Sequence, residues 1–226
     1  VIFDWDDTLL PTHFVEERIE GPRRSSGVGR FALVGEDSPH FEKLKAHAQR
    51  VRALLETAAS RANVAIVTLA TRSWFDESAE AYLPGLDLPE LLERLQIPVY
   101  CAREYLSNRE LKAALAEEGV NPGVIAKRNA MKHCLKKFVP AWRRDGANVL
   151  SVGDSETELC AIKELLWQDD LGRSLCKTFK FVSDPTLEFL GVEVETAASW
   201  LGRMIKATMD FHVDMEELVE EAFWDA

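Results

Sequence analysis

Short apolar runs alternate along this chain with longer stretches in which apolar residues recur every three or four positions. Val1-Ile2-Phe3, Val64-Ala65-Ile66-Val67, Ile97-Pro98-Val99-Tyr100-Cys101, Asn148-Val149-Leu150-Ser151-Val152 and Thr178-Phe179-Lys180-Phe181-Val182 are the strand candidates. Most lack a polar–apolar alternation, as in strands covered on both faces of a parallel sheet. Phe41, Leu44, Ala48, Val51, Leu54 and Ala58 keep a helical period, which predicts an amphipathic helix from His40 to Ala59. Further helices are predicted over 73–82, 89–95, 108–117, 126–138 and 156–167, and two more, 196–209 and 214–223, close the chain. Strand–helix alternation predicts an α/β fold, a three-layer doubly wound parallel sheet, with 1–226 as a single domain. Residues 11–39 break the rhythm with Gly21, Gly27, Gly29, Gly35, Pro11, Pro22 and Pro39. They read as a flap, with Phe31-Ala32-Leu33-Val34 as one strand of a small hairpin.

Composition narrows the picture. The 226 residues hold 27 Lys and Arg against 38 Asp and Glu, a formal charge of −11. That balance argues against nucleic acid as a partner, because a phosphate backbone needs a basic surface. No apolar run reaches the roughly 18 residues that span a bilayer. Cys101, Cys134, Cys160 and Cys176 are too scattered for a zinc site or a disulfide framework, and read as reduced thiols. With the acidic balance, they make the cytoplasm the default compartment. The chain opens at Val1 and runs straight into a strand, so it reads as part of a longer product, with any targeting segment outside it.

Candidate chemistry concentrates where the first strand ends, in Phe3-Asp4-Trp5-Asp6-Asp7-Thr8-Leu9-Leu10. Open α/β sheets bind ligands at the carboxyl ends of their strands. Residues two apart on a strand point to one side, so Asp4 and Asp6 can face one small volume. Two carboxylates there repel unless a cation or a shared proton intervenes, and oxygen-only ligands favour Mg²⁺.

This motif resembles the first signature of the haloacid dehalogenase superfamily, an apolar strand followed by DxDx[TV]. The remaining signatures appear in order. Val64-Ala65-Ile66-Val67-Thr68 ends a strand in a hydroxyl, Lys127 opens the helix AKRNAMKHCLKKF, and Asn148 to Val152 leads into Gly153-Asp154-Ser155-Glu156-Thr157-Glu158. Glu158 stands where the family usually has Asp, and Asp7 stands where glycine is common. The resemblance implies a phosphatase in which Asp4 is the nucleophile and forms an aspartyl-phosphate, and Asp6 is the acid and then the base. Mg²⁺ would lie between the Asp4 carboxylate, the Asp6 backbone carbonyl and Asp154. Thr68 and Lys127 would hold the phosphoryl group, and Glu158 would act behind the metal ligands. Each residue type has another reading. Thr71 is a competing hydroxyl, Lys132 a competing lysine, and Asp154 a helix cap. Arg72 is a candidate for contacting the leaving group; Arg23, Arg24 and Arg30 suit a solvated loop better.

Segment lengths leave little room for the cap domains of that superfamily, so the fold is expected to be capless or minimally capped. An open site suits a large substrate such as a phosphoprotein. Other readings are a phosphomutase, and a non-catalytic subunit or scaffold of the same fold; the intact motifs favour catalysis. The last predicted helix gathers Met215, Leu218, Val219, Ala222 and Phe223 on one face. That face packs on the core or, in a minority of such helices, docks a protein partner.

Overall fold

The computed structural model describes residues 1–22, 31–169 and 171–218. In chain order the elements are β1 (Ile2–Phe3), α1 (Thr12–Val15, continued by a π-helical turn over Glu16–Glu20), α2 (Phe41–Ala59), β2 (Ala65–Thr68), α3 (Arg72–Tyr82), α4 (Leu88–Arg94) and β3 (Val99–Cys101). A 3₁₀ turn (Ala102–Tyr105) follows, then α5 (Asn108–Ala116), α6 (Pro122–Phe138), α7 (Trp142–Asp145), β4 (Asn148–Gly153), α8 (Glu156–Leu166), β5 (Leu175–Lys180), α9 (Leu187–Lys206) and β6 (Phe211–Asp214).

All strand pairings are parallel, and the six strands lie in the order β3-β2-β1-β4-β5-β6. That is a Rossmann-like order, in which the chain winds outward from β1 and then returns to β1's other edge. The direction reverses between β1 and β4, which pair through Ile2↔Ser151 and Phe3↔Val152.

The strands are apolar on both faces because both faces are covered. Phe3, Ile66, Leu150, Val152 and Phe179 join one core with the buried faces of α2, α3 and α9. Ile2, Ala65, Val67 and Val149 point the other way, into a core with α6 and α8. Successive residues of one strand thus feed opposite layers, as the pleat requires.

Several expectations are corrected. Phe31–Val34 is not a strand, and the described part of the flap that precedes it, 12–22, is helical. The helix expected from 196 begins nine residues earlier, at Leu187, because Thr186 caps it by accepting from the Phe189 N–H at 3.2 Å. The fifth strand lies at 175–180 rather than 178–182. A sixth strand, Phe211–Asp214, was not expected. It is held to β5 by Lys180, whose ammonium lies 3.2 Å from both Asp214 and Glu216. The final helix is seen only in its first turn, 215–218, where Met215 is buried. Val219, Ala222, Phe223, Gly27, Gly29 and the three flap arginines Arg23, Arg24 and Arg30 lie outside the described residues. No described helix is long and apolar enough to cross a membrane.

Candidate active site

The turn after β1 carries Asp4 to the crevice where the winding reverses. The Asp4 N–H donates to the Val152 carbonyl at 2.9 Å, so β1 keeps its register one residue past its end. α6 enters the same crevice with Lys127, which is 1% exposed. Its ammonium lies 2.7 Å from Asp4 Oδ1 and donates a short hydrogen bond to Glu158 Oε1. Glu158 comes from the first turn of α8. Its Oε2 accepts from the Ser155 N–H at 3.1 Å and from Ser155 Oγ at 2.6 Å, which closes a capping box. Gly153 makes room for it, since a Cβ there would stand 2.6 Å from Glu158 Cγ.

Asp4, Asp154 and Glu158 bring carboxylate oxygens within 4.8 Å of one another. Asp154 accepts a long hydrogen bond, 3.5 Å, from Thr8 Oγ1, and its carbonyl accepts from Ser183 Oγ at 3.1 Å. Three carboxylates against one ammonium leave a charge of −2 when all are ionised. Burial therefore holds Asp4 well above the usual carboxylate range despite Lys127, and with Glu158 beside it pushes Asp154 up to about 7. Burial also opposes the charge on Lys127, but Asp4 and Glu158 outweigh it and hold the ammonium above the ordinary lysine range.

The donor set fits a hard divalent cation. All the atoms are oxygens, the charge excess is one such ion, and Asp4 Oδ1 is buried with no aligned hydrogen bond among the described residues, Lys127 meeting it only as an ion pair. Both oxygens of Glu158 are already engaged, by Lys127 and by Ser155. Asp4 and Asp154 are therefore the less engaged carboxylates of the three that could hold an ion, and Glu158 also anchors the lysine.

The Asp6 side chain is not in this cluster. Its Oδ1 accepts from Thr12 Oγ1 and from Trp74 Nε1, each at 2.7 Å. Asp7 takes a φ of 48°, the left-handed region that glycine prefers, and accepts from the His13 N–H at 2.8 Å. Burial pushes its carboxyl up to about 6. Thr68 is fully buried at the end of β2, and its hydroxyl oxygen accepts from the Ala70 N–H at 2.9 Å, which leaves its own O–H able to donate.

Thr71 serves as the cap of α3, accepting from the Trp74 N–H at 3.2 Å. Arg72 turns away from the cluster: it donates to the Val99 carbonyl at 3.1 Å and lies 4.0 Å from Asp76. Lys132 is not in the cluster either; it borders a surface hollow with Lys136 and Trp142. The role of Ser155 and the bond between Trp74 and Asp6 were not foreseen from the sequence. Ser155 was legible as the start of an S-x-x-E capping box, whereas nothing local links Trp74 to Asp6.

Fold and site together define a Rossmann-like parallel α/β protein with a buried acidic cluster, built around a lysine, at its topological switch point. No protein-family model matches the chain, and no curated protein and no solved structure matches it.

Proposed function

We propose that the protein is a Mg²⁺-dependent phosphohydrolase of the haloacid dehalogenase type, acting on phosphomonoesters through an aspartyl-phosphate on Asp4. The observation that carries this reading is Lys127, buried between Asp4 and Glu158 beside Asp154 at the carboxyl end of β1. A carboxylate nucleophile must approach a phosphoryl group that is itself anionic. The site supports this with a fixed ammonium and with room for a divalent cation, held by Asp4 and Asp154. When bound, that ion neutralises charge on the phosphoryl group.

The chain's own residues then divide the work. Asp4 attacks phosphorus, and Asp6 protonates the departing oxygen. Lys127 offsets charge on the transferred group, and the Thr68 O–H donates to one of its oxygens. Water attacks the acyl phosphate and gives its proton to Asp6, which releases phosphate and restores Asp4. The insertion between β1 and α2 contributes one helical excursion, 12–20, in its described part. That supports an open site and a large substrate such as a phosphoprotein.

The test is hydrolysis of 4-nitrophenyl phosphate with and without Mg²⁺, in wild type and in Asp4→Asn. Turnover that requires Mg²⁺ and drops at least about a thousandfold in the variant is expected, because the nucleophile has no substitute. Turnover that survives in Asp4→Asn overturns the reading.

A further inference from the structure

Asp6 has an asymmetric setting. Both hydrogen bonds to its carboxylate fall on Oδ1, and they come from separate parts of the chain. Thr12 opens α1, six residues after Asp6. Trp74 lies in the first turn of α3, 68 residues after it. That turn is fixed by its Thr71 cap, and the indole ring packs 5.3 Å from the ring of Phe31. An indole N–H only donates, and a carboxylate oxygen has two lone pairs. Two donors therefore fill Oδ1, hold negative charge there, and make it a poor place for a proton.

Building on the phosphohydrolase reading, we propose that Trp74 is a positioning residue for the acid–base step. Together with Thr12 it pins Asp6 through Oδ1, so that the proton Asp6 gives and takes travels on Oδ2. In the first half-reaction an Asp4 oxygen forms a bond to phosphorus, and the bond from phosphorus to the ester oxygen breaks. The electron pair stays on the ester oxygen, which receives the proton from Asp6 Oδ2. In the second, water oxygen bonds to phosphorus, its proton passes to Oδ2, and the Asp4 oxygen leaves with its electron pair. The sum is one ester and one water giving one alcohol and one phosphate.

Trp5 shows what a packing tryptophan looks like in this protein. It is fully buried, packs tilted against Phe75 with ring centroids 4.4 Å apart, and its N–H reaches Ser78 Oγ at a longer 3.3 Å. Trp74 is only half-buried, yet it makes the shorter bond, and makes it to a charged acceptor.

The experiment uses Trp74→Phe, which keeps an aromatic ring beside Phe31 and removes the indole N–H together with part of the ring area. General acid catalysis supplies roughly 10²–10⁴-fold, so losing one of its two guides is expected to lower kcat/KM about tenfold on an alkyl phosphate. On 4-nitrophenyl phosphate, whose leaving group departs without a proton, the loss is expected to stay under about threefold. A purely structural role lowers both alike, and equal losses, or none, overturn the proposal. A second measurement needs no turnover. The Trp74 indole N–H resonance, identified by its absence in Trp74→Phe, is expected to move upfield in Asp6→Asn, where the acceptor has lost its charge. An unmoved resonance overturns the pinning. If wild type hydrolyses no phosphomonoester, the functional reading fails instead, and the resonance still reports separately on whether Trp74 holds Asp6.

Discussion

Lys127 and Lys177 are both almost entirely buried, at 1% and 0% exposure, and their surroundings differ in kind. The Lys177 ammonium donates to three backbone carbonyls at the end of α9: Met204 and Ile205, each at 3.0 Å, and Ala207. Lys127 meets two carboxylates, one of which has no aligned donor. Burial holds the Lys177 ammonium below the ordinary lysine range, because neutral carbonyls cannot repay the lost water. For Lys127 the carboxylates more than repay it. A buried cation that satisfies a helix end is finished structurally. One that leaves an acid short of partners, beside two more acids, is set up for a ligand.

Replacing each lysine by Met tests that difference. Lys127→Met is expected to lower turnover at least about a hundredfold, since a fixed charge on the transferred group is lost. It also leaves Asp4 and Glu158 without their counter-charge, a penalty of about 3–5 kcal/mol while both are ionised. Both effects are read by the 4-nitrophenyl phosphate assay and by thermal unfolding. Lys177→Met is expected to lower stability alone, by about 2 kcal/mol, because the last carbonyls of α9 lose their donor. In a chain of this size that is a drop of about 4–8 °C in Tm. Turnover per folded molecule should stay within about twofold of wild type. If Lys177→Met impairs catalysis as Lys127→Met does, the distinction between the two sites is wrong.

The sequence revealed one of these lysines and not the other, and the reason is physical. Lys127 was legible through its place in an ordered set of motifs, although it sits in a helix whose other basic residues are more exposed. Lys177 carries no local signal, because its partners are backbone atoms 27–30 residues on. The same division runs through the fold. Strands β1, β2 and β4 are apolar on both faces and announced themselves. The edge strand Phe211–Asp214 is short and half polar, and it exists because β5 offers an edge and Lys180 meets Asp214 there. Within the site, Asp4 and Asp6 were readable from spacing, and Asp154 and Glu158 from their place in the ordered set of motifs. What each does was not. Asp6 stands apart from the carboxylate cluster, held by Thr12 and by an indole on α3, and Arg72 donates to the Val99 carbonyl.

Glu193 extends the comparison to acids and gives its smallest and most quantitative test. Like Asp4 it is buried, but no lysine pairs with its carboxylate, and Lys180 acts on it only as a nearby charge. Its Oε1 accepts from the Val182 N–H at 2.6 Å, and its Oε2 has no hydrogen-bond partner among the described residues. Burial pushes this carboxyl up to about 8, against an ordinary value of 4.5. Between those values the folded protein keeps a proton that the unfolded chain has released. Stability therefore falls as pH rises across that window and levels off above it. Glu193→Gln keeps an acceptor for Val182 and cannot titrate. Asp7, raised to about 6, slopes the same way in both proteins and cancels in the difference, whereas Asp154, raised to about 7, interacts with Glu193 and cancels only in part. Relative to the variant, wild type is expected to lose at least about 1 kcal/mol between pH 5 and pH 9, read from chemical denaturation at each pH. A constant difference would mean that Glu193 is ionised throughout, and that burial without a cation does not hold an acid neutral in this fold. The contrast with Asp4, beside which Lys127 supplies an opposing charge, would then lose its basis.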